Sequence, residues 1–417
     1  MASTHPSPFA HRLAAVVCGA FALRLAIRAV TGTARYWIDG YTMYPELAAN
    51  LVAGRGYAFD GSGPTAFRVP LYALFIAATT WGSRNPWTLI VAQSIVSSGL
   101  AALAGLIARR LYGPAAGLVA AAWCAAYPYY AWHDVGLQES GLFAALTALA
   151  TWLLLAERDA RRLRLAVAAG LVLGLAILTR AMLLPFAGLA LGWLFLPDER
   201  GTPWRLRALS AALCACALLA TIAPWMVRSH ALTGSYALGT EGGQSLYAGA
   251  SPLLFARFPQ ASIDESRDLI FRAIPPQETR ARDAFSGDNP ARASAWYTAK
   301  AREMIAADPA GYARRALRKL AIAFGPRPAP HHGLADAGYA VWWVPLVLLG
   351  LAGAWRDRAQ WRRNLLFAAH FAAFAAVTAL VWAQTAHRAY LDVYLMVLAA
   401  PVVLGLLPRR MREWLAR

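Results

Sequence analysis

The sequence predicts an all-α polytopic membrane protein, and three observations carry that expectation. Of the 417 residues 59% are hydrophobic and only 15% are charged, whereas soluble domains carry about a quarter charged residues. Ala, Leu and Val recur in blocks long enough to cross a hydrocarbon layer of about 30 Å. Arginines gather in short segments between these blocks, as the positive-inside bias requires. The net charge of +18, from 40 Lys+Arg against 22 Asp+Glu, raises nucleic-acid binding as an idea. The basic residues form no single patch, however, and membrane topology accounts for them.

The first apolar block covers residues 9–30. No small-residue cleavage site followed by a soluble domain stands there, so the block is expected to stay as a membrane helix. Arg24 and Arg28 lie one helical turn apart on one face. Snorkelling to the interface and contact with an anionic headgroup explain them equally well. A polar loop follows at 31–69, with Asp39, an amphipathic helix over 41–52, a glycine-rich turn and Arg68. The apolar run at 70–81 is too short for a full crossing and suits a re-entrant or interfacial element. Further spans are expected at 87–108, 114–131, 137–156, 165–179, 181–196, 208–227, 339–355, 365–382 and 389–407.

Charge tests this assignment. With the N-terminus inside and 70–81 dipping without crossing, the inner loops are Arg109-Arg110, ERDARRLR at 157–164, DERGTPWRLR at 198–207, RDRAQWRR at 356–363 and the C-terminal tail. All are arginine-rich. A full crossing at 70–81 would invert the later ones. The expectation is therefore ten spans plus one half-element, with both termini cytoplasmic. The chain divides into an N-terminal transmembrane module (1–227), an outer loop region (228–338) and C-terminal helices with a tail (339–417). Asp39, Arg68, His133, Asp134, Glu139, Thr179, Arg180, His387 and Arg388 then share the outer side, and ionisable groups gathered on one membrane face point to a site. In the outer loop, residues 289–324 read as two helices opened by Pro290 and Pro309.

Other polar residues have simpler readings. Cys18, Cys124, Cys214 and Cys216 lie in apolar spans without metal-ligand spacing. His133, Asp134, His331 and His332 also lack zinc spacing, and loop solvation explains them. Gln93, His370 and Gln384 are expected to hydrogen-bond between helices.

Six segments, in order, have a recognisable pattern: DGYTMYPELAANLVAGRGY, FRVPLYALFIA, YPYYAWHDVGLQES, GLAILTRAMLL, PWMVRSHALTGSYAL and HRAYLDVYLMVLAAP. Together they resemble the GT-C membrane glycosyltransferases, in particular the bacterial branch related to protein O-mannosyltransferases and the aminoarabinose transferase that modifies lipid A. The likeness covers most of the chain except 253–335. It departs at Asp39-Gly40, where several relatives pair two acidic residues, and at Ala181, where proline is usual.

The resemblance implies a GT-C fold and an inverting enzyme that moves a hexosyl or pentosyl group from a polyprenyl-phosphate carrier to a cell-envelope acceptor. The acceptor (glycan, lipid or protein) stays open, and the site would face outward from the plasma membrane. Asp39 matches the general base, which activates the acceptor hydroxyl. Arg68, Arg388, Arg180 and Tyr44 match donor-phosphate contacts, where guanidinium forks suit phosphate oxygens. Glu139 matches a supporting acidic position. In oligosaccharyltransferase relatives that position helps hold a divalent metal; the monophosphate-donor branch does not generally need one, so no metal is inferred and a divalent cation stays open. Simpler readings stand beside these: a helix N-cap for Asp39, interfacial snorkelling for Arg68, helix capping for Arg180 and Arg388, and a helix-start carboxylate for Glu139. A lipid-linked-sugar flippase would instead need a polar midplane path and repeated halves, which the sequence lacks. A non-catalytic membrane scaffold is the remaining alternative.

Overall fold

The computed structural model describes residues 8–61, 63–331, 333–382 and 384–416. Among the described residues the fold is helical apart from one two-stranded sheet, in which Ala58–Phe59 pairs antiparallel with Gly63–Pro64. Among the described residues, seven helices are long and apolar enough to cross a membrane: Pro8–Thr31, Pro86–Tyr112, Ser140–Ala160, Trp204–Thr233, Asp336–Arg356, Arg358–Leu380 and Thr385–Leu406. Four shorter apolar helices, Leu71–Thr80, Pro114–Ala126, Leu163–Thr179 and Ala181–Phe195, fill the places where the sequence predicts the other segments. The chain is a multi-pass membrane protein.

The half-element lies as the charge argument requires. Val69, just before Leu71–Thr80, lines a cavity of about 280 Å³. Just after that helix, the carbonyl of Arg84 accepts a hydrogen bond from Trp37 Nε1 at 2.8 Å. The chain after the helix thus returns to the loop at 31–69.

The arginine-rich loops meet at the opposite end. Arg110 pairs with Asp159 at 2.6 Å and Arg161 with Asp198 at 2.5 Å. Tyr112 donates to Asp357 at 3.0 Å, and Arg12 at the start of the first helix donates to the carbonyl of Trp414 at 2.6 Å. Six stretches distant in sequence are joined there.

Close helix packing uses small residues, as expected where lipid offers no hydrophobic drive between helices. Gly170 lies against the Cys214 backbone, joining Leu163–Thr179 to Trp204–Thr233, and Gly353 lies against the Leu398 carbonyl, joining Leu334–Arg356 to Asp392–Leu406. The second of each pair is buried along most of its length only in the Asp392–Leu406 case, which forms the centre of the bundle.

Residues 228–338 hold a small helical cap. Pro290–Ala307 and Pro309–Ala323 begin at the two expected prolines, and Asn289 and Asp308 cap them through their side-chain oxygens. Gly242–Ala250, Ile263–Arg272 and Pro276–Ser286 precede them. Ala248, Leu254, Phe258, Ile263 and Ile270 form a separate small core. Lys319 ties the cap to the bundle, since its ammonium donates to the carbonyls of Gly249, Leu380 and Val381 at 3.2, 3.2 and 2.8 Å. Burial pulls the Lys319 amine down to about 7, but three carbonyl acceptors match the three donors of the charged form.

Several sequence expectations need correction. Arg24 neither snorkels nor faces a headgroup: it is fully buried and pairs with Asp134 at 2.9 Å. Asp134 is therefore not a solvated loop residue. A buried guanidinium needs a carboxylate to offset its lost hydration, and Asp134 supplies it. Gln93 and His370 do bond between helices: Gln93 accepts from Tyr72 at 2.7 Å and donates to the carbonyls of Asp134 and Gly136, and His370 Nε2 lies 3.0 Å from Thr151 Oγ1. His332, of the His331-His332 pair, lies outside the described residues.

Candidate active site

A cavity of about 280 Å³ opens at the end of the bundle that carries the 31–69 loop, beneath the helical cap. Six parts of the chain build it. The first-loop helix Met43–Val52 and the residue before its cap supply Tyr44 and Tyr41. The approach to Leu71–Thr80 supplies Arg68. Glu139 comes from the start of Ser140–Ala160, and Arg180 from the break between Leu163–Thr179 and the following helix. The cap contributes Glu241 and Ser245, and Trp382 and His387 close the wall.

Two ion pairs span the cavity. Arg68 Nε meets Glu241 Oε2 at 2.9 Å, and Arg180 Nε meets Glu139 Oε1 at 2.9 Å. Arg180 also donates to Ser140 Oγ at 2.9 Å and to the carbonyl of Ala386. The second oxygen of Glu139 is buried without a hydrogen-bond partner. Arg68 stands over the Tyr41 ring at 5.2 Å, and the Tyr41 hydroxyl lies 3.3 Å from His387 Nε2. Tyr44 packs its edge against Tyr72.

Local sequence explains the approach of Glu241. The stretch before it runs alongside residues 66–68, with Thr240 N donating to the Ala66 carbonyl at 3.0 Å. A Cβ on Gly239 would sit 2.9 Å from the Phe67 carbonyl, so glycine lets the two backbones touch. Burial raises the Glu241 carboxyl above its ordinary value, against the pull of Arg68 and Arg267. Burial, reinforced by Glu139, raises the Tyr41 hydroxyl to about 12, so it stays a neutral donor.

Arg68, Arg180, Tyr44 and Glu139 are thus brought together. The structure does not bring Asp39 or Arg388 into the cavity. Asp39 is 60% exposed at its side chain and pairs with Arg35 at 3.2 Å. It lines a neighbouring cleft of about 230 Å³ with Tyr36, His133 and Gln138. It is not an N-cap either, because Thr42 holds that position before Met43–Val52. The partition between cleft and cavity is the turn at Gly40. Its φ is +93°, and a Cβ there would meet the Leu137 carbonyl at 2.7 Å, so no side chain fits in either respect. Arg388 points the other way. It is fully buried, lies 3.3 Å from the Trp343 ring centroid, and bonds to Tyr339 and to Asp392 at 3.4 Å. As a carboxylate-paired group it belongs to the core; His387 faces the cavity in its stead.

Sequence reasoning missed Glu241, Tyr41 and Trp382 as wall residues, whereas His387 was among the residues it gathered on the site side. A carboxylate inside the glycine run GTEGG was the available signal for Glu241. Among the described residues no group of three or more His, Cys, Asp or Glu could hold a metal ion. Glu139 and Glu241 are each engaged by an arginine.

The comparisons with known proteins agree with this architecture. Residues 67–227 match the family of dolichyl-phosphate-mannose-protein mannosyltransferases. Three solved structures of an oligosaccharyltransferase from Archaeoglobus fulgidus superpose on nearly the whole chain. The apo form has a TM-score of 0.56 at 15% identity over 97% of this chain and 52% of that one. The form tethered to an acceptor peptide has a TM-score of 0.56 at 14% identity, over 97% and 51%. The complex of AglB with an inhibitory peptide and a dolichol-phosphate has a TM-score of 0.52 at 13% identity, over 94% and 50%. The fold is of the GT-C type. The chain spans about half the length of the solved structures it matches. No curated protein matches it in sequence. The resemblance read from the six segments is borne out, and the matched family region contains Arg68, Glu139 and Arg180.

Proposed function

We propose that this protein is an inverting glycosyltransferase that takes a sugar from a polyprenyl-phosphate carrier and passes it to a hydroxyl of a cell-envelope acceptor on the outer face of the plasma membrane. The observation that carries this reading is the pair of arginines facing one cavity at the membrane end of the bundle. A sugar on an isoprenoid phosphate cannot leave the bilayer, so the reacting centre must sit at that level. Arg68 and Arg180 are the phosphate clamp. The incoming phosphate takes the place of Glu241 on Arg68, and charge on the departing phosphate is stabilised by both guanidiniums. Tyr41 and Ser245 supply neutral groups for sugar hydroxyls.

Inversion places the attacking hydroxyl opposite the leaving phosphate. The base therefore belongs on the far side of the sugar from the clamp. We assign that role to Asp39, which lines the adjoining cleft across the Gly40 turn, and opening of this turn would join cleft to cavity. Glu139 holds Arg180 in position. The carboxylates separate in a paired assay of sugar release from labelled polyprenyl-phosphate sugars, with a crude envelope acceptor. Asp39→Asn is expected to lower turnover by about 10²–10⁴-fold with donor binding kept. Glu139→Gln is expected to weaken donor binding first. Full turnover by Asp39→Asn beside an inactive Glu139→Gln would transfer the base role to Glu139.

A further inference from the structure

At the arginine-rich end, far from the candidate active site, a second polar cavity of about 250 Å³ is lined by Arg110, Arg158, Arg200, Arg362 and Arg363 together with Asp159, Asp198 and Glu199. Its walls come from four separate loops or helix ends. Positive-inside topology requires arginines somewhere in these loops, but it does not require that they converge on one hollow.

Charge accounting shows what the hollow lacks. Asp159 is taken by Arg110 and Asp198 by Arg161. Arg363 is engaged by Asp357. Arg158 donates to the carbonyls of Trp193 and Pro197 at 3.0 Å each, Arg200 donates to the Asp159 carbonyl, and Arg362 stands over the Trp361 ring at 5.4 Å. Arg158, Arg200 and Arg362 thus have no carboxylate within ion-pair distance among the described residues. Glu199, exposed at the rim, is the only lining carboxylate among them without an arginine partner. Three positive charges stand against one negative, and Arg363 Nε is buried with no hydrogen-bond partner.

We propose that this cavity binds a phosphate-bearing anion, which joins the inner loops by bridging the unmatched guanidiniums. Planar guanidinium forks meet phosphate oxygens in pairs. The same chemistry is offered by the headgroup of an anionic phospholipid and by free phosphate. The exposed indoles of Trp355 and Trp361 beside the hollow mark the interfacial level at which headgroups lie.

The test uses the full-length protein in phosphatidylcholine nanodiscs. Thermal unfolding is followed with phosphatidylglycerol mixed into the bilayer or with inorganic phosphate in the buffer. A saturable rise in the midpoint is expected. If phosphatidylglycerol alone raises it, the occupant is a lipid headgroup; if inorganic phosphate matches it, the occupant is free phosphate. The double variant Arg200→Ala/Arg362→Ala is expected to lose affinity by about tenfold for each guanidinium removed, and Glu199→Gln at the exposed rim is expected to bind more tightly than the parent. Absence of any rise in the parent protein overturns the proposal. An equal rise in the parent, the double variant and Glu199→Gln also overturns it, because it would then be a general effect of membrane charge.

Discussion

The two ends of the bundle handle arginine in opposite ways. At the site end the three fully or nearly buried arginines, Arg24, Arg180 and Arg388, each face a carboxylate: Asp134, Glu139 and Asp392. At the other end arginines outnumber their acidic partners, and several are held by main-chain carbonyls or aromatic rings. The difference follows from hydration. A guanidinium withdrawn from water needs a counter-charge, whereas one at an interface keeps its water and serves topology without a partner. Matched pairs in a cavity also keep charged groups ready for a substrate that can exchange into them.

Breaking a matched pair is the strongest way to challenge this contrast. Asp134→Leu leaves Arg24 buried and unpaired, and unfolding in neutral detergent is expected to cost about 3–5 kcal/mol of stability. The added change Arg24→Met should recover most of the loss. At the other end, Arg362→Ala in the same detergent should alter stability by less than about 0.5 kcal/mol. Equal losses at the two ends would remove the distinction.

Arg68→Ala sharpens the functional half of the contrast. A charge-assisted contact to phosphate contributes about 1.5–3 kcal/mol, so donor affinity should fall by about 10–100-fold in a binding measurement. Arg68→Lys should recover only part, since a lysine offers a point charge without the fork. The smallest effect concerns pH. Burial raises the Glu241 carboxyl, so Glu241 is among the first carboxylates to protonate as pH falls. A neutral Glu241 releases Arg68, while a sugar phosphodiester keeps its charge. Donor affinity should therefore rise as pH falls through the raised Glu241 value, by roughly five-fold for a partly exposed pair. Glu241→Gln should bind donor with that higher affinity and show a flat profile. A pH response preserved in Glu241→Gln would assign it to another group.

Much of the fold was legible because its signals are local. A hydrophobic run long enough to cross, a proline opening a helix after Asn289 or Asp308, and arginines alternating from side to side need no knowledge of partners. The shortness of 70–81 and the charge parity together gave the half-element, and the segment after it bonds back to the first loop. The candidate site was legible in part: Arg68, Glu139, Arg180 and Tyr44 fall into one cavity. Glu241 escaped because a carboxylate in a glycine-rich loop has no periodicity to mark it, and Arg388 was misplaced because its side chain turns into the core.

The amino-acid order by itself determined the helical segments, the end of the bundle at which the arginine-rich loops meet and the gathering of ionisable groups toward the other end. These depend on hydrophobic length and charge, both summed along the chain. Only the tertiary structure decided which carboxylate each arginine meets, that Asp39 stands beyond the Gly40 turn, and that the loop arginines at the other end enclose a hollow. Such outcomes depend on the approach of segments distant in sequence, where ångström-scale distances set whether two charges cancel or remain available.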